Sequence, residues 1–198
     1  MWRVEGEGAF ATDVVMDVTT HALTLEQTVR HVLDAPLPPD AALDEVAAAL
    51  VSDLNEGHTP LTWLVATGNI ALIRLVLAHG VPLDEPEKGS ELRRTALHYA
   101  SFAGDDGFAC ARLLIDARAT VDASDTKGFT PLGHACYEGH VRIARLLLES
   151  RAAINHQANK GETALHAACK NGHLESARLL IDWGVALNLQ LTPSQLTP

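Results

Sequence analysis

The sequence predicts an all-α protein of about four repeated helical pairs, preceded by an N-terminal helical cap. Four segments align: "HTPLTWLVATGN", "RTALHYASFAGD", "FTPLGHACYEGH" and "ETALHAACKNGH", with aligned threonines 36, 35 and 33 residues apart. Each is followed by an apolar stretch with helical spacing, such as "IRLVLAHG" or "IARLLLESR". Similarity at a period near 33 residues is typical of stacked helical repeats.

The first helix of each repeat has recognisable start and stop signals. A threonine hydroxyl can cap the start of a helix, and the four aligned threonines are Thr59, Thr95, Thr130 and Thr163. Pro60 and Pro131 follow at the first helical position, where no amide hydrogen is needed. A glycine stands nine residues after each threonine, at Gly68, Gly104, Gly139 and Gly172. We therefore expect first helices near 60–67, 96–103, 131–138 and 164–171.

The second helix of each repeat carries an apolar stripe, for example Val141, Ala144, Leu147 and Leu148. These stripes predict helices near 70–79, 108–117, 141–150 and 174–183. Gly80 and Gly184 follow at the left-handed cap position. Arg118 and Arg151 replace that glycine in repeats two and three, at a cost of about 1 kcal/mol each. The extra residues in "GDDG" are expected to lengthen the turn between the helices of repeat two.

The recurring T-P-L-H-x-A pattern resembles the ankyrin-repeat family over roughly residues 53 to 190. The resemblance implies an ankyrin-repeat solenoid in which each helical pair is followed by a projecting loop. The repeats would span about 55–86, 87–122, 123–155 and 156–188, within a region of 55–190. His98 and His166 match the family histidine, which is expected to link neighbouring turns, whereas Gly133 replaces it in repeat three.

The flanks of the repeats have their own patterns. Residues 21–54 contain "TLEQTVRHVLDA", with a capping box, and "PDAALDEVAAALVSDL", with one apolar face. They predict a degenerate helical pair that caps the first repeat, since solenoid ends need a modified face. Residues 1–20 are expected to form an extended arm. Residues 191–198 are either a tail or the start of a decayed fifth repeat.

Composition excludes several classes of partner. The net charge of −10 argues against nucleic acid as a partner, because phosphate binding needs a basic surface. No run approaches the roughly 18 apolar residues of a membrane helix, and the N-terminus lacks a signal-peptide pattern. Three cysteines do not make a disulfide framework. These features favour a cytoplasmic setting, with the nucleus as the alternative, and no contact with a membrane.

The segment "GHACYEGH" contains candidate metal ligands, yet its repeat positions argue against a metal site. Cys136 aligns with Ser101 and Cys169, and His140 aligns with His173. Equivalent atoms of neighbouring repeats lie about 8–10 Å apart, whereas zinc needs its ligands at about 2.0–2.3 Å. We predict no metal and no cofactor. The sequence also lacks the common catalytic motifs, so no enzymatic activity is expected.

One arginine recurs at the same position of every second helix, at Arg74, Arg112, Arg145 and Arg178. An acidic residue follows four positions after the last three, within pairing distance on a helix. We interpret this column as a solvated face that pairs with itself. The alternative is a surface that binds an anionic partner.

In the ankyrin family, partners usually dock on the concave face made by first helices and loop tips. Aromatic residues are enriched at interface cores. The predicted partner-binding residues are the large side chains at these positions: Trp63, Tyr99, Phe102, Phe129, His134 and Tyr137. For Trp63 and Tyr99 the alternative is packing between neighbouring first helices.

The resemblance implies a non-enzymatic protein–protein interaction module: an adaptor, an inhibitor or an assembly factor that docks another protein. The alternative is a permanent structural subunit of a larger complex, for example a cytoskeletal one. The chain is accordingly expected to be a monomer or a subunit of a hetero-complex.

Overall fold

The computed structural model describes residues 60–78, 80–87 and 91–187. These contain no strand and eight α-helices. The helices are α1 (Pro60–Thr67), α2 (Ile70–Ala78), α3 (Ala96–Phe102), α4 (Gly104–Asp116), α5 (Pro131–Glu138), α6 (Val141–Glu149), α7 (Ala164–Lys170) and α8 (Leu174–Asp182). The predicted arm (1–20), capping pair (21–54) and tail (191–198) lie outside the described residues.

The helices form two layers. Within each repeat the first helix packs on the second. Between repeats, α1, α3, α5 and α7 pack side by side, and α2, α4, α6 and α8 form a parallel row. Leucines at equivalent positions, among them Leu97, Leu114, Leu132 and Leu147, are buried between the layers. The all-α ankyrin solenoid expected from the sequence is therefore confirmed for the described residues.

The predicted start signals act locally as expected. Thr130 and Thr163 have extended backbones, and their hydroxyl oxygens accept hydrogen bonds from the amides of Gly133 (3.3 Å) and His166 (3.4 Å). At the other end of α5, Gly139 is left-handed with φ of 78°. A side chain there would collide with the ring of His173, which lies over this glycine.

The "GDDG" insertion extends a helix instead of a turn, so that prediction was wrong. Helix α4 begins directly at Gly104 and has 13 residues, against nine in α6 and α8. Asp105 and Asp106 lie in its first turn, where the helix dipole favours acidic side chains. Asp105 also pairs with Arg142 of the next repeat, at 2.8 Å between Oδ1 and Nη1.

The loops after the second helices are joined by a repeated hydrogen bond. The side chains of Asp84, Asp122 and Asn155 occupy one repeat position, and each accepts a bond from a backbone amide of the following repeat. The donors are Thr120 (2.8 Å), Ala153 (2.8 Å) and Ala186 (2.7 Å). These bonds set the register between successive loops.

The arginine column is exposed, as expected, but it pairs with itself only in part. Arg112 lies 3.6 Å from Asp116. In the part of the chain that the structure describes, Arg145 forms no ion pair with Glu149, and Arg178 forms none with Asp182.

Among the described residues, no helix combines the length and apolar character that a membrane crossing requires.

Candidate functional site

Three of the candidate ligands in "GHACYEGH" lie in different surroundings. His134 Nε2 lies 3.0 Å from Asp125 Oδ2, and His140 Nε2 lies 3.0 Å from the carbonyl oxygen of Phe102. Cys136 is fully buried, and burial raises the pKa of its thiol to about 12. Within the described residues, no group of three or more His, Cys, Asp or Glu could hold a metal ion. In this segment the histidines connect repeats and the cysteine fills the core.

Repeats two and three meet at a compact set of aromatic and charged side chains, here called the aromatic cluster: Arg94, Phe102, Asp125, Phe129 and His134. The ring of His134 lies at its centre, with ring centroids 4.4 Å from Phe102 and 5.6 Å from Phe129. The guanidinium of Arg94 lies over the ring of Phe102, 4.4 Å from its centroid. Packing from both repeats therefore fixes the orientation of these rings.

Asp125 binds the central His134 of the aromatic cluster, and its own side chain is fully buried. One carboxylate oxygen accepts hydrogen bonds from the amides of Lys127 and Phe129, both at 2.9 Å, and the other accepts from His134. Burial alone would raise the pKa of Asp125, but the bonds from His134 and the Phe129 amide outweigh it, and the net shift is downward. The carboxylate therefore stays charged at neutral pH.

Burial also lowers the pKa of His134, although its hydrogen bond to Asp125 opposes that shift. A neutral imidazole thus donates from Nε2 to a charged carboxylate. Sequence reasoning missed Asp125, because an aspartate stands there only in repeat three: Ser90 and Ala158 are its equivalents. The available signal was local, since aspartate followed by glycine three residues later marks a turn closed by the aspartate side chain.

His98 connects the cluster to α3. Its Nδ1 accepts hydrogen bonds from the Thr95 amide (3.1 Å) and hydroxyl (2.9 Å). The proton must then reside on Nε2, which donates to the carbonyl oxygen of Phe129 at 3.1 Å. Burial, reinforced by the nearby His134, lowers the pKa of His98 to about 4. The predicted role of His98 as a link between neighbouring repeats is confirmed.

Arg94 is held in an unusual environment. Its Nε is buried without a hydrogen bond, 3.9 Å from Asp125 Oδ2. Burial lowers the pKa of the guanidinium, and neighbouring acidic groups oppose that shift. The side chain is thus stabilised by the Phe102 ring and the field of Asp125 more than by direct hydrogen bonds.

The predicted partner-binding residues fall into distinct environments. Phe102, Phe129 and His134 are brought together in the aromatic cluster. His134 is only 6 % exposed, because Asp125 and both phenylalanines enclose it. Tyr99 is half-buried, and its hydroxyl donates to Glu87, while burial and that bond raise its pKa. The Trp63 side chain lies outside the described residues.

Tyr137 differs from all of these. It stands near the end of α5, and its side chain is 44 % exposed. The residues before it in α5, from Pro131 to Cys136, are buried. The helix therefore presents an aromatic ring to solvent directly after six buried residues.

Comparison with known families gives one result. A family model described as ankyrin repeats (3 copies) matches residues 40–125 and 103–190. Together the two matches cover more than half of the chain. A comparison with curated proteins gives no match.

Proposed function

This chain belongs to the ankyrin-repeat family, and on that basis we propose that it is a non-enzymatic module that binds another protein through its first-helix face. Ankyrin repeats generally mediate protein–protein interactions, and proteins built from them are typically not enzymes. The proposed contact surface comprises the exposed ends of the first helices and the loops before them. Its centre is repeats two and three.

The exposed ring of Tyr137 is the observation that carries this proposal. Among the described side chains of repeats two and three, it is the only large hydrophobic one that is exposed. Tyrosine is enriched among residues that dominate binding energy, because it buries a large area with few rotatable bonds. Tyr137 also follows six buried residues of a short helix, Pro131 to Cys136, so little conformational entropy would be lost on binding.

We propose that the aromatic cluster belongs to the same contact surface. Phe102 and Phe129 are half-buried, and His134 and Asp125 fix them from within. We propose that the exposed edges of the two rings contact the partner beside Tyr137. His134 would then act indirectly, by holding the rings, and Tyr99 through its bond to Glu87.

We propose a role as an adaptor, inhibitor or assembly factor in the cytoplasm, in which the solenoid acts as a rigid template without a cofactor. A permanent structural subunit of a larger complex is the second candidate. Both use the same surface and differ in how long the partner stays bound. Size measurement of the native protein separates them: the first role predicts free chain in exchange with the complex, the second only large assemblies.

The experiment that tests the surface is a comparison of three tagged chains: native, Tyr137→Ala and Glu149→Ala. Partners are captured by affinity purification, identified by mass spectrometry, and their affinity is measured by calorimetry. If Tyr137 is a hot spot, its truncation weakens binding by roughly 30-fold or more. Glu149 is the control because it is exposed on the second helix of the same repeat.

Equal affinity of all three chains for the captured partner would place the interface elsewhere. The exposed arginine column is then the next surface to substitute. Circular dichroism of each variant checks that the helices are intact.

A further inference from the structure

Gly133 occupies a buried position in the first turn of α5, where repeats two and four carry His98 and His166. The backbone does not require glycine there, because Gly133 is not among the residues with positive φ. Glycine also lowers the stability of a helix relative to other residues. A residue that the backbone does not need and the helix disfavours has its reason in the packing around it.

That reason is the ring of Phe129. A side chain at position 133 would place its Cβ only 3.2 Å from Cδ1 of Phe129, closer than side chains normally approach. The backbone of Phe129 is fixed separately: its amide donates to Asp125 Oδ1 at 2.9 Å, and its carbonyl oxygen accepts from His98 Nε2 at 3.1 Å. The ring therefore lies against Gly133 on one side and beside His134 on another.

Repeats two and four keep the histidine, and in both the residue before the capping threonine has another partner. Arg94, the equivalent of Phe129 in repeat two, lies over the ring of Phe102. Glu162, the equivalent in repeat four, lies 3.7 Å from Nζ of Lys170, measured from Oε1. Repeat three is the described repeat in which this residue is aromatic and the histidine is replaced by glycine.

The glycine removes a link between repeats three and four. In repeat two, His98 joins the amide and hydroxyl of Thr95 to a carbonyl oxygen of the next repeat. In the corresponding place, no described residue accepts a hydrogen bond from the amide of the buried Thr130, and the Glu162 carbonyl oxygen receives one from the Ala158 amide alone. A small cavity also lies there. A buried amide without an acceptor lowers stability, so this arrangement has a cost.

We propose that Gly133 is a positioning residue for the partner contact, because it leaves the space in which the Phe129 ring completes the aromatic cluster. Repeat three gives up a link to repeat four and gains a fixed aromatic ring on the first-helix face. Side chains that bind are most effective when packing already holds their orientation. This inference rests on the proposed function; Gly133 itself is buried and acts through Phe129.

The position of the ring is measured without a partner, by NMR of the full chain labelled at phenylalanine. In the native chain, nuclear Overhauser contacts are expected between the rings of Phe129 and His134. Gly133→His should remove these contacts, because the imidazole takes the place of the Phe129 ring and bonds to Thr130. Gly133→Ala should keep them and shift the ring signals, since a Cβ alone displaces the ring only slightly. Circular dichroism shows whether each variant keeps its helices.

A double-mutant cycle measures the effect on binding, with the partner captured by the native chain. Gly133→His should weaken that partner by about tenfold. In a Phe129→Ala chain the same change should have no further effect on affinity, because the ring through which Gly133 acts is absent. There it should instead raise the midpoint of urea unfolding, since the imidazole regains its link to repeat four. Glu149→His, exposed on α6, is the matched control for an added histidine.

Three results would overturn the proposal: contacts between Phe129 and His134 that persist in Gly133→His, ring signals that Gly133→Ala leaves unchanged, or an equal loss of affinity with and without the Phe129 ring. Comparison with Tyr137→Ala separates this test from that of the proposed function. If Tyr137→Ala weakens binding and Gly133→His does not, only the role of Gly133 is wrong. If neither change weakens binding, the proposed contact surface is wrong and the role of Gly133 falls with it.

Discussion

At the scale of single residues, Asp125 shows how a buried charge is made tolerable. Removing a carboxylate from water costs several kcal/mol unless hydrogen bonds replace its hydration. Two backbone amides and the imidazole of His134 do so here. The same carboxylate attracts Arg94, which lacks hydrogen bonds at Nε. One turn residue therefore holds both the guanidinium and the imidazole of the aromatic cluster.

Histidine titration gives a prediction at this scale. The pKa of His98 is about 4 in the folded chain, below the value of about 6.5 in an unfolded chain. Between these values the unfolded state binds the proton more tightly, so the free energy of unfolding falls as pH drops from 6.5 to 4. The loss attributable to His98 is about 3 kcal/mol by the end of that range. The lowered pKa values of His134 and Asp125 act in the same direction.

Chemical denaturation at several pH values measures this effect. The His98→Asn variant should be less stable at pH 7, because it loses the link to Phe129, but its stability should fall less steeply below pH 6.5. Equal slopes for the native and variant chains would show that protonation of His98 does not drive the loss.

At the scale of secondary-structure elements, the second helix of every described repeat is followed by a residue in the left-handed conformation. Gly80 and Gly184 have positive φ values of 73° and 82°, which glycine adopts without a steric penalty. Arg118 and Arg151 have the same left-handed conformation, with φ of 76° and 66°, as the sequence alignment predicted. Their Cβ atoms crowd the following carbonyl oxygen in that conformation. The fold thus requires the left-handed turn even where the residue disfavours it.

We predict that Arg151→Gly raises the free energy of unfolding by about 1 kcal/mol, because relief of the steric cost exceeds the added entropy of the unfolded chain. Arg151 is exposed, so little packing is lost. The matched control is Arg145→Gly in the interior of α6, which should lower stability by about 1 kcal/mol. Urea titrations of the native chain and the two variants measure these changes in the free energy of unfolding. If both variants are less stable than the native chain, Arg151 is not strained by its left-handed conformation.

At the scale of the whole molecule, stability and binding reside in different layers. The interior between the layers consists mainly of leucines and alanines at equivalent positions, so each repeat stabilises its neighbours. The exposed Tyr137 belongs to the first-helix layer. The surface proposed for the partner is therefore separate from the core.

This separation predicts that two truncations, one in the core and one on the surface, change the free energy of unfolding by different amounts. Leu147→Ala removes a fully buried side chain and should lower the free energy of unfolding by about 2–5 kcal/mol. Tyr137→Ala should change it by less than about 1 kcal/mol, because the ring is largely in solvent. Thermal melts measured beside partner affinity distinguish the variants. A large stability loss in Tyr137→Ala would show that its ring supports the fold instead of a partner.

The repeats, the ends of most helices and the left-handed turns could all be predicted from the amino-acid pattern. Those features depend on local rules: a hydroxyl caps the helix that follows it, a glycine tolerates positive φ, and an apolar period of 3.6 buries one face. The prediction failed where the start of a helix depended on a contact with the neighbouring repeat. The "GDDG" insertion became helix because α4 can begin at Gly104 and pair Asp105 with Arg142 of the next repeat.

The character of the candidate site depends on contacts that the repeat pattern does not specify. His134 aligns with the half-buried Tyr99, but it is buried because Asp125, nine residues earlier, bonds to its ring. Likewise, Leu174 and Ile181 are exposed, although their equivalents in repeat three, Val141 and Leu148, are half-buried and buried. Burial is set by what packs against a side chain, and a repeat pattern gives each position the same residue type without giving it the same neighbours.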